Sequence, residues 1–211
     1  MNEVYQGIPV QSYAEIWVLD WLFELKDRGF IYSIERAPEM LLSPGLVNSY
    51  IKRTVMKTKT KEEFKSQTLI DPHYYTADFV VLWTPLAVDC GVISSLAILN
   101  YSRMSSDILA HPDFWMIGES HTPAFKTYIE AKPDYEFQDN TRRFMVNQKW
   151  MWEHRKVYIN LLRPHRLFKS TFTPEAFLKT RKKQTERLIK WKIITCDEYL
   201  KSIGYEVPAT L

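Results

Sequence analysis

Three places in the chain carry a glutamate followed two residues later by a lysine: Glu24 and Lys26, Glu63 and Lys65, Glu130 and Lys132. Such a pair can act on one substrate only where the backbone points both side chains to the same side. Residues two apart diverge on a helix and share a face on a strand. Glu24 and Lys26 fall within a helical pattern, and Glu63 and Lys65 within a polar, basic arm. Only Glu130 and Lys132 close a run, FKTYIEAK (125–132), that reads as a strand and is stopped by Pro133. Ala131 between them faces the other way and is small enough to pack under a helix.

A divalent cation needs oxygen ligands, and Mg²⁺ usually takes one or two carboxylates. The second carboxylate is expected from Asp78, an acidic residue in the otherwise apolar run YYTADFVVLW (74–83), where an unpartnered charge would be costly. If strands 76–83 and 125–132 pair, Asp78 and Glu130 can hold one ion, with the Ala131 carbonyl as a further ligand. Lys132 would then orient or help deprotonate a water and offset charge on a phosphorane-like transition state. The constellation reads as phosphodiester hydrolysis. Glu15 has two readings that stay open: a fourth site member, or the acidic half of the capping box Ser12-Tyr-Ala-Glu15.

These residues need elements to hold them. Apolar spacing and the Ser12 cap predict a helix over 13–28, ended by Gly29, and GFIYSIER (29–36) alternates as a strand. Residues 44–66 read as a hairpin or flexible arm, 86–112 as an insertion of unassigned shape, and FWMIGE (114–119) as another strand. A helix is expected over 141–155 and a strand over 156–162. Thr173-Pro174-Glu175 predicts a helix running to about 191, and Thr195-Cys-Asp-Glu198 caps a last short one. Strands interrupted by helices argue for an α/β (α+β) domain with a mixed central sheet flanked by helices, with C-terminal helices added.

Composition sets outer bounds. A chain of 211 residues, 45% hydrophobic and 25% charged, is long enough to bury a core and should fold. Its net charge of +3 is mild, yet cations crowd into residues 52–65 and 179–192, the latter including Lys182 and Lys183. Such runs are more often solvated faces than phosphate sites. The two cysteines, Cys90 and Cys196, have neither zinc-finger nor disulfide-framework spacing, and no leader-like or bilayer-spanning apolar run occurs. The expected setting is a reducing, cytoplasmic one, without a membrane partner. Five scattered histidines and the absence of a GxSxG motif leave little support for a Ser/His or Cys/His hydrolase.

In that order, Glu15 on a helix, Asp78 on one strand and Glu130-Ala-Lys132 on the next, the residues resemble the PD-(D/E)xK nuclease superfamily. The run SYAEIWVLDWLFELKDRGFIYSIERAPE, then YYTADFVV, YIEAKP, an Arg/Lys-rich helix and VYINLL is similar to its phage endonuclease I and Holliday-junction-resolvase-like group. The resemblance covers about residues 12–163. It implies a restriction-endonuclease-like core, placed over 1–165 with an insertion at about 85–121; the helices expected over 166–211 form a C-terminal extension that has no counterpart in the core motif. It also implies a Mg²⁺-dependent DNA endonuclease, with Mn²⁺ as a substitute, often dimeric, acting in a host cytoplasm if phage-encoded, with junction or branched DNA among the candidate substrates. Compact members join the two acidic strands as a tight hairpin, whereas residues 79–129 separate Asp78 from Glu130 here. Asp113, Glu119 and His121 lie in or beside that insertion as candidate substrate contacts.

On this reading Arg142, Arg143 and Lys149 of the helix after the motif face phosphates, and Gln148 reaches towards the site. A different class of function stays open beside it. A non-catalytic nucleic-acid-binding or virion-associated protein could keep the fold and use the basic runs with Trp150, Trp152 and Trp191 as backbone and base contacts.

Overall fold

The computed structural model describes residues 3–95, 117–120, 125–135 and 138–205. In chain order its elements are β1 (Glu3–Tyr5), β2 (Ile8–Val10), α1 (Tyr13–Asp27), β3 (Ile31–Arg36), β4 (Met40–Ser43), β5 (Leu46–Val55), β6 (Thr60–Ile70) and β7 (His73–Tyr75). There follow β8 (Phe79–Trp83), α2 (Pro85–Asp89), β9 (Ser94–Ser95), β10 (Ile117–Ser120), β11 (Phe125–Ala131), α3 (Gln138–Arg155), β12 (Ile159–Leu162), α4 (Pro164–Ser170), a 3₁₀ turn (Glu175–Phe177) and α5 (Cys196–Ser202). The fold is mixed α and β, as expected. Asp113 and His121, and most of the expected insertion, lie outside the described residues, as does the side chain of Glu119. Among the described residues no helix is long and apolar enough to cross a membrane.

The chain divides into two compact units, residues 1–37 with 77–211, and residues 38–76. In the larger unit one sheet has the order β3-β8-β11-β10-β9, and β12 also pairs with β11. β8 runs antiparallel to both β3 and β11, while β12 runs parallel to β11. A parallel neighbour requires a crossover, which α3 supplies. β8 and β11 are therefore central strands, and their composition fits: Phe79, Val81, Trp83 and Ile129 are wholly buried, and the Trp83 indole donates to Thr127 Oγ1 at 2.7 Å.

α1 is the core helix. Ala14, Ile16, Val18, Leu19, Trp21, Leu22 and Leu25 are all buried, so little of its circumference meets water. Ser12 Oγ accepts the Glu15 N–H at its start. At its end Gly29, at φ +79°, lets the Gly29 N–H reach Lys26 O and the Phe30 N–H reach Leu25 O, which satisfies the last carbonyls. The Trp21 indole donates to Thr171 Oγ1 at 2.9 Å, fastening α4's end to α1.

α1 also buries Asp20, which accepts the Tyr5 hydroxyl. Burial pushes its carboxyl up to about 6 although the tyrosine bond pulls the other way. The folded pKa is raised above the unfolded value. This group's contribution to stability is therefore fully present below pH ~4 and is lost as pH rises through about 6. Asp20→Asn, which still accepts from Tyr5, is expected to raise Tm at pH 7.5 by a few degrees and to leave it unchanged near pH 4. Thermal unfolding at the two pH values checks this.

The smaller unit holds a two-stranded pair β4-β7 and the ribbon β5-β6. The hairpin reading of 44–66 is met, with the ribbon running on to Ile70. It puts Glu63 and Lys65 on β6 with their side chains 3.6 Å apart, so Glu130 and Lys132 are not alone in sharing a strand face, but this exposed ribbon brings no buried second carboxylate to the pair. Gly45 stands at its base at φ +76°, where any Cβ would lie 2.6 Å from the Ile70 carbonyl oxygen. The expected single strand 74–83 is instead β7 and β8, one in each unit, broken at Thr76-Ala77-Asp78.

The helix expected over 174–191 is absent; beyond the 3₁₀ turn, 178–194 is extended and turning chain. The cap signal at Thr173-Pro174-Glu175 is genuine, but the run after it has few apolar residues to form a stripe, and its adjacent cations repel. Thr180 and Thr185 hydrogen-bond each other's backbone and side chains across a turn that puts Gln184 at φ +53°, an alternative to helical bonding.

Candidate active site

The site forms where the ends of β3, β8 and β11 meet the start of α1. Antiparallel register places Phe79 opposite Ile129, so the residues one step outward, Asp78 and Glu130, lie across from each other. The Asp78 N–H donates to Ile129 O at 3.0 Å. In return Ala131 N–H donates to Asp78 Oδ2 at 2.8 Å. The pairing across the 79–129 separation is thus direct, and the backbone itself aims the Asp78 carboxylate at the Glu130–Lys132 turn.

Lys132 leaves the sheet with its N–H on Leu162 O at 2.9 Å. Its Nζ lies 2.8 Å from Glu130 Oε1, so the two side chains share a face. Pro133 follows, and Arg163 at the end of β12 holds this exit by donating to the Pro133 and Asp134 carbonyls, each at 3.1 Å.

Glu15 joins from α1. Its Oε1 accepts from Ser12 Oγ at 2.9 Å and its Oε2 accepts the Gln11 N–H at 3.1 Å. The capping role is therefore present, although the backbone N–H that Glu15 accepts is that of Gln11 and its bond from Ser12 comes from the hydroxyl. Glu15 also faces the other acids, through a residue that sequence reading passed over. Arg36, at the end of β3 opposite Phe79, donates from Nη1 to Glu15 Oε2 at 2.9 Å and sets Nη2 3.5 Å from Asp78 Oδ1. No local signal marks it, because its place depends on the register of β3 against β8.

Three carboxylates so converge on two cationic side chains. Glu15, Asp78 and Glu130 are only 4%, 9% and 6% exposed. Asp78 is pushed up to about 7, first by burial, then by the fields of Glu130 and Glu15, with the Ala131 N–H and Arg36 opposing. A carboxylate held this reluctantly ionised beside a second one is a place where a divalent cation would relieve repulsion. Its oxygen-only donors suit Mg²⁺ or Mn²⁺. Asp78, Glu130 and the Ala131 carbonyl are the groups that would hold it. Among the described residues no group of three or more acidic, histidine or cysteine side chains is placed to hold a metal ion by itself. The remaining ligands of such an ion would be water and substrate, as is usual for Mg²⁺.

The other expected contacts are dispersed. Arg142, Arg143 and Lys149 are exposed on α3. Gln148 Oε1 accepts the Ile159 N–H at 2.9 Å, which ties α3 to β12 and commits that side-chain oxygen to the fold. Lys182 and Lys183 sit on the turn between Thr180 and Thr185, beside Tyr13 and Trp17.

Comparison with known proteins gives no relative. No family model, no curated protein and no solved structure matches the chain.

Arg36 offers a test of the electrostatics. Replacing it by Gln removes the cation between Glu15 and Asp78, so the Asp78 carboxyl should titrate roughly one pH unit higher. Arg36→Lys should restore most of the difference. A carboxyl-carbon NMR titration of Asp78 in the three proteins checks it.

Proposed function

We propose that the protein is a divalent-metal-dependent DNA endonuclease with a restriction-endonuclease-like core of the PD-(D/E)xK kind, hydrolysing phosphodiester bonds at Asp78, Glu130 and Lys132. One observation carries this: Asp78 and Glu130 oppose each other at the ends of two paired strands, with Lys132 on the Glu130 face. The order helix, three antiparallel strands, crossover helix and parallel strand supports the same core.

When bound, the ion would lower the pKa of a water and offset charge on the phosphate oxygens. The chain's own residues do the rest. Asp78 Oδ2 is fixed by Ala131 N–H, so its remaining oxygen is presented in one direction. Lys132 Nζ, steered by Glu130, supplies N–H donors where negative charge gathers on the phosphorus-bound oxygens as water attacks and the 3′ or 5′ oxygen departs. Arg36 and Glu15 are positioning residues: the guanidinium spans Glu15 and Asp78 and keeps the second carboxylate from turning away. The exposed cations of α3 would meet neighbouring phosphates.

A second reading rests on the same ion pairs. Arg36 and Lys132 already partner the acids, so the cluster could be a structural network in a nucleic-acid-binding protein that does not cleave. Incubation with duplex, single-stranded and branched DNA, with Mg²⁺, Mn²⁺ or EDTA, separates the two. Metal-dependent cleavage of any of them upholds the nuclease, and intact DNA throughout contradicts it.

A further inference from the structure

Beyond the acidic cluster, the larger unit has a pocket of about 340 Å³ between the start of α1 and the turn after Leu178. Four of its lining residues are cationic, Arg181, Lys182, Lys183 and Arg187, and two are aromatic, Tyr13 and Trp17; none is acidic. The chemistry this offers is a planar apolar surface beside concentrated positive charge.

The pocket is built rather than incidental. Trp17 is fixed by His165 stacked at 5.9 Å and Phe177 edge-on at 5.2 Å. Tyr13, one helical turn earlier, stacks on it at 6.2 Å and is still 46% exposed. The Arg187 guanidinium lies over both Trp17 and Phe177, at 5.2 and 4.8 Å. Arg181 is held by Glu3 at 2.7 Å. Between them the turn is closed by Thr180 N–H on Thr185 O and Gln184 N–H on Thr180 O, both at 2.8 Å, so the exposed Lys182 and Lys183 are carried on a fixed backbone. As a turn rather than a helix, the basic run brings its cations to one rim.

We infer that this pocket binds one unpaired nucleotide of a DNA strand, with the base on the open face of Tyr13 and its phosphates against Lys182 and Lys183. The inference rests on the nuclease reading and narrows its substrate to DNA with a single-stranded element. A simple anion would have no use for the exposed ring, and a base within a duplex has no free face to stack. Aromatic stacking beside a basic groove is how unpaired strands are bound without sequence preference. The volume lies at the small end of ordinary ligand pockets. Tyr13 and Glu15 belong to the first turn of the same helix, so a strand held here is registered to the acidic cluster by a rigid element.

The test is fluorescence anisotropy in EDTA with two labelled probes, a blunt DNA duplex and the same duplex carrying a single-stranded oligothymidine tail. The wild-type protein is expected to bind the tailed probe roughly tenfold more tightly, given about 1–3 kcal/mol per stacked base. Tyr13→Leu should abolish that preference while leaving the blunt affinity unchanged. The Lys182→Gln/Lys183→Gln double variant should weaken the tailed probe selectively and reduce its salt slope by about 1.4. Equal affinity of wild type for both probes, or equal losses on both in the variants, would overturn the inference. Cleavage in Mg²⁺ is scored separately. A tail preference without cleavage keeps the pocket and removes the nuclease, whereas cleavage without the preference does the reverse.

Discussion

On the proposed nuclease reading, Asp78→Asn, Glu130→Gln and Lys132→Met are each expected to lower metal-dependent DNA cleavage by roughly 10³-fold or more, while DNA binding persists or tightens. The three substitutions act on different parts of one arrangement. Asn at 78 can still accept from the Ala131 N–H, so the strand ends stay aligned and only the charge that would hold an ion is lost. Gln at 130 loses charge in the same way and also releases Lys132 from its 2.8 Å partner. Met at 132 keeps the stem and removes the ammonium. Binding should survive because no removed group attracts phosphate except Lys132, and the lost carboxylates had repelled it. Single-turnover cleavage and EDTA-based binding, measured on the same preparations, check both halves. Full activity in any one variant would show that its residue does not belong to the machinery.

The second large effect is thermodynamic and needs no substrate. Asp78 titrates at about 7 in the fold against 3.8 for the ordinary group. With the folded pKa raised, the metal-free protein retains this group's stability below pH ~4 and loses it as pH climbs through about 7, by at most ~1.4 kcal/mol for each pH unit climbed between those two values. A divalent ion reverses the balance because it needs the carboxylate ionised. At pH 8, Mg²⁺ at about 100 times its dissociation constant should add ~2.7 kcal/mol, or ~5–10 °C in Tm for a chain of this size. At pH 5.5 the ion must displace a proton from Asp78, which weakens apparent binding about 30-fold, and the gain in Tm should shrink to about a third. Glu130→Gln should remove it at both pH values. Differential scanning calorimetry with and without Mg²⁺ reads this directly; an equal gain at both pH values would place the ion elsewhere.

Much of this site was legible in the sequence because strand geometry is strict. Period-two alternation set Glu130 and Lys132 apart from the helical pair Glu24 and Lys26 but not from Glu63 and Lys65, which also share a strand face; the acid in an apolar run, Asp78, made the difference. Ser12 and Gly29 bounded α1 by capping chemistry alone. Arg36 was not legible, since its role arises from the register of β3 against β8, a long-range pairing that no local pattern encodes. Nor was the break at Thr76-Ala77-Asp78, because residues 74–83 are equally β-prone on both sides of a boundary between units. The lost helix after Pro174 shows a start signal defeated by the residues downstream of it: cations in series, few apolar positions, and two threonines able to close a turn. The same residues that spoiled the helix, Lys182 and Lys183, then form the rim of the pocket at Tyr13.

The most direct measurement is anomalous diffraction from crystals soaked in Mn²⁺. The expected result is a peak about 2.2 Å from one oxygen each of Asp78 and Glu130, with Arg36 still on Glu15 and Lys132 beside the ion. A saturating soak that leaves no peak there, with both carboxylates still held by Arg36, Lys132 and the Ala131 N–H, would contradict a metal-dependent active centre.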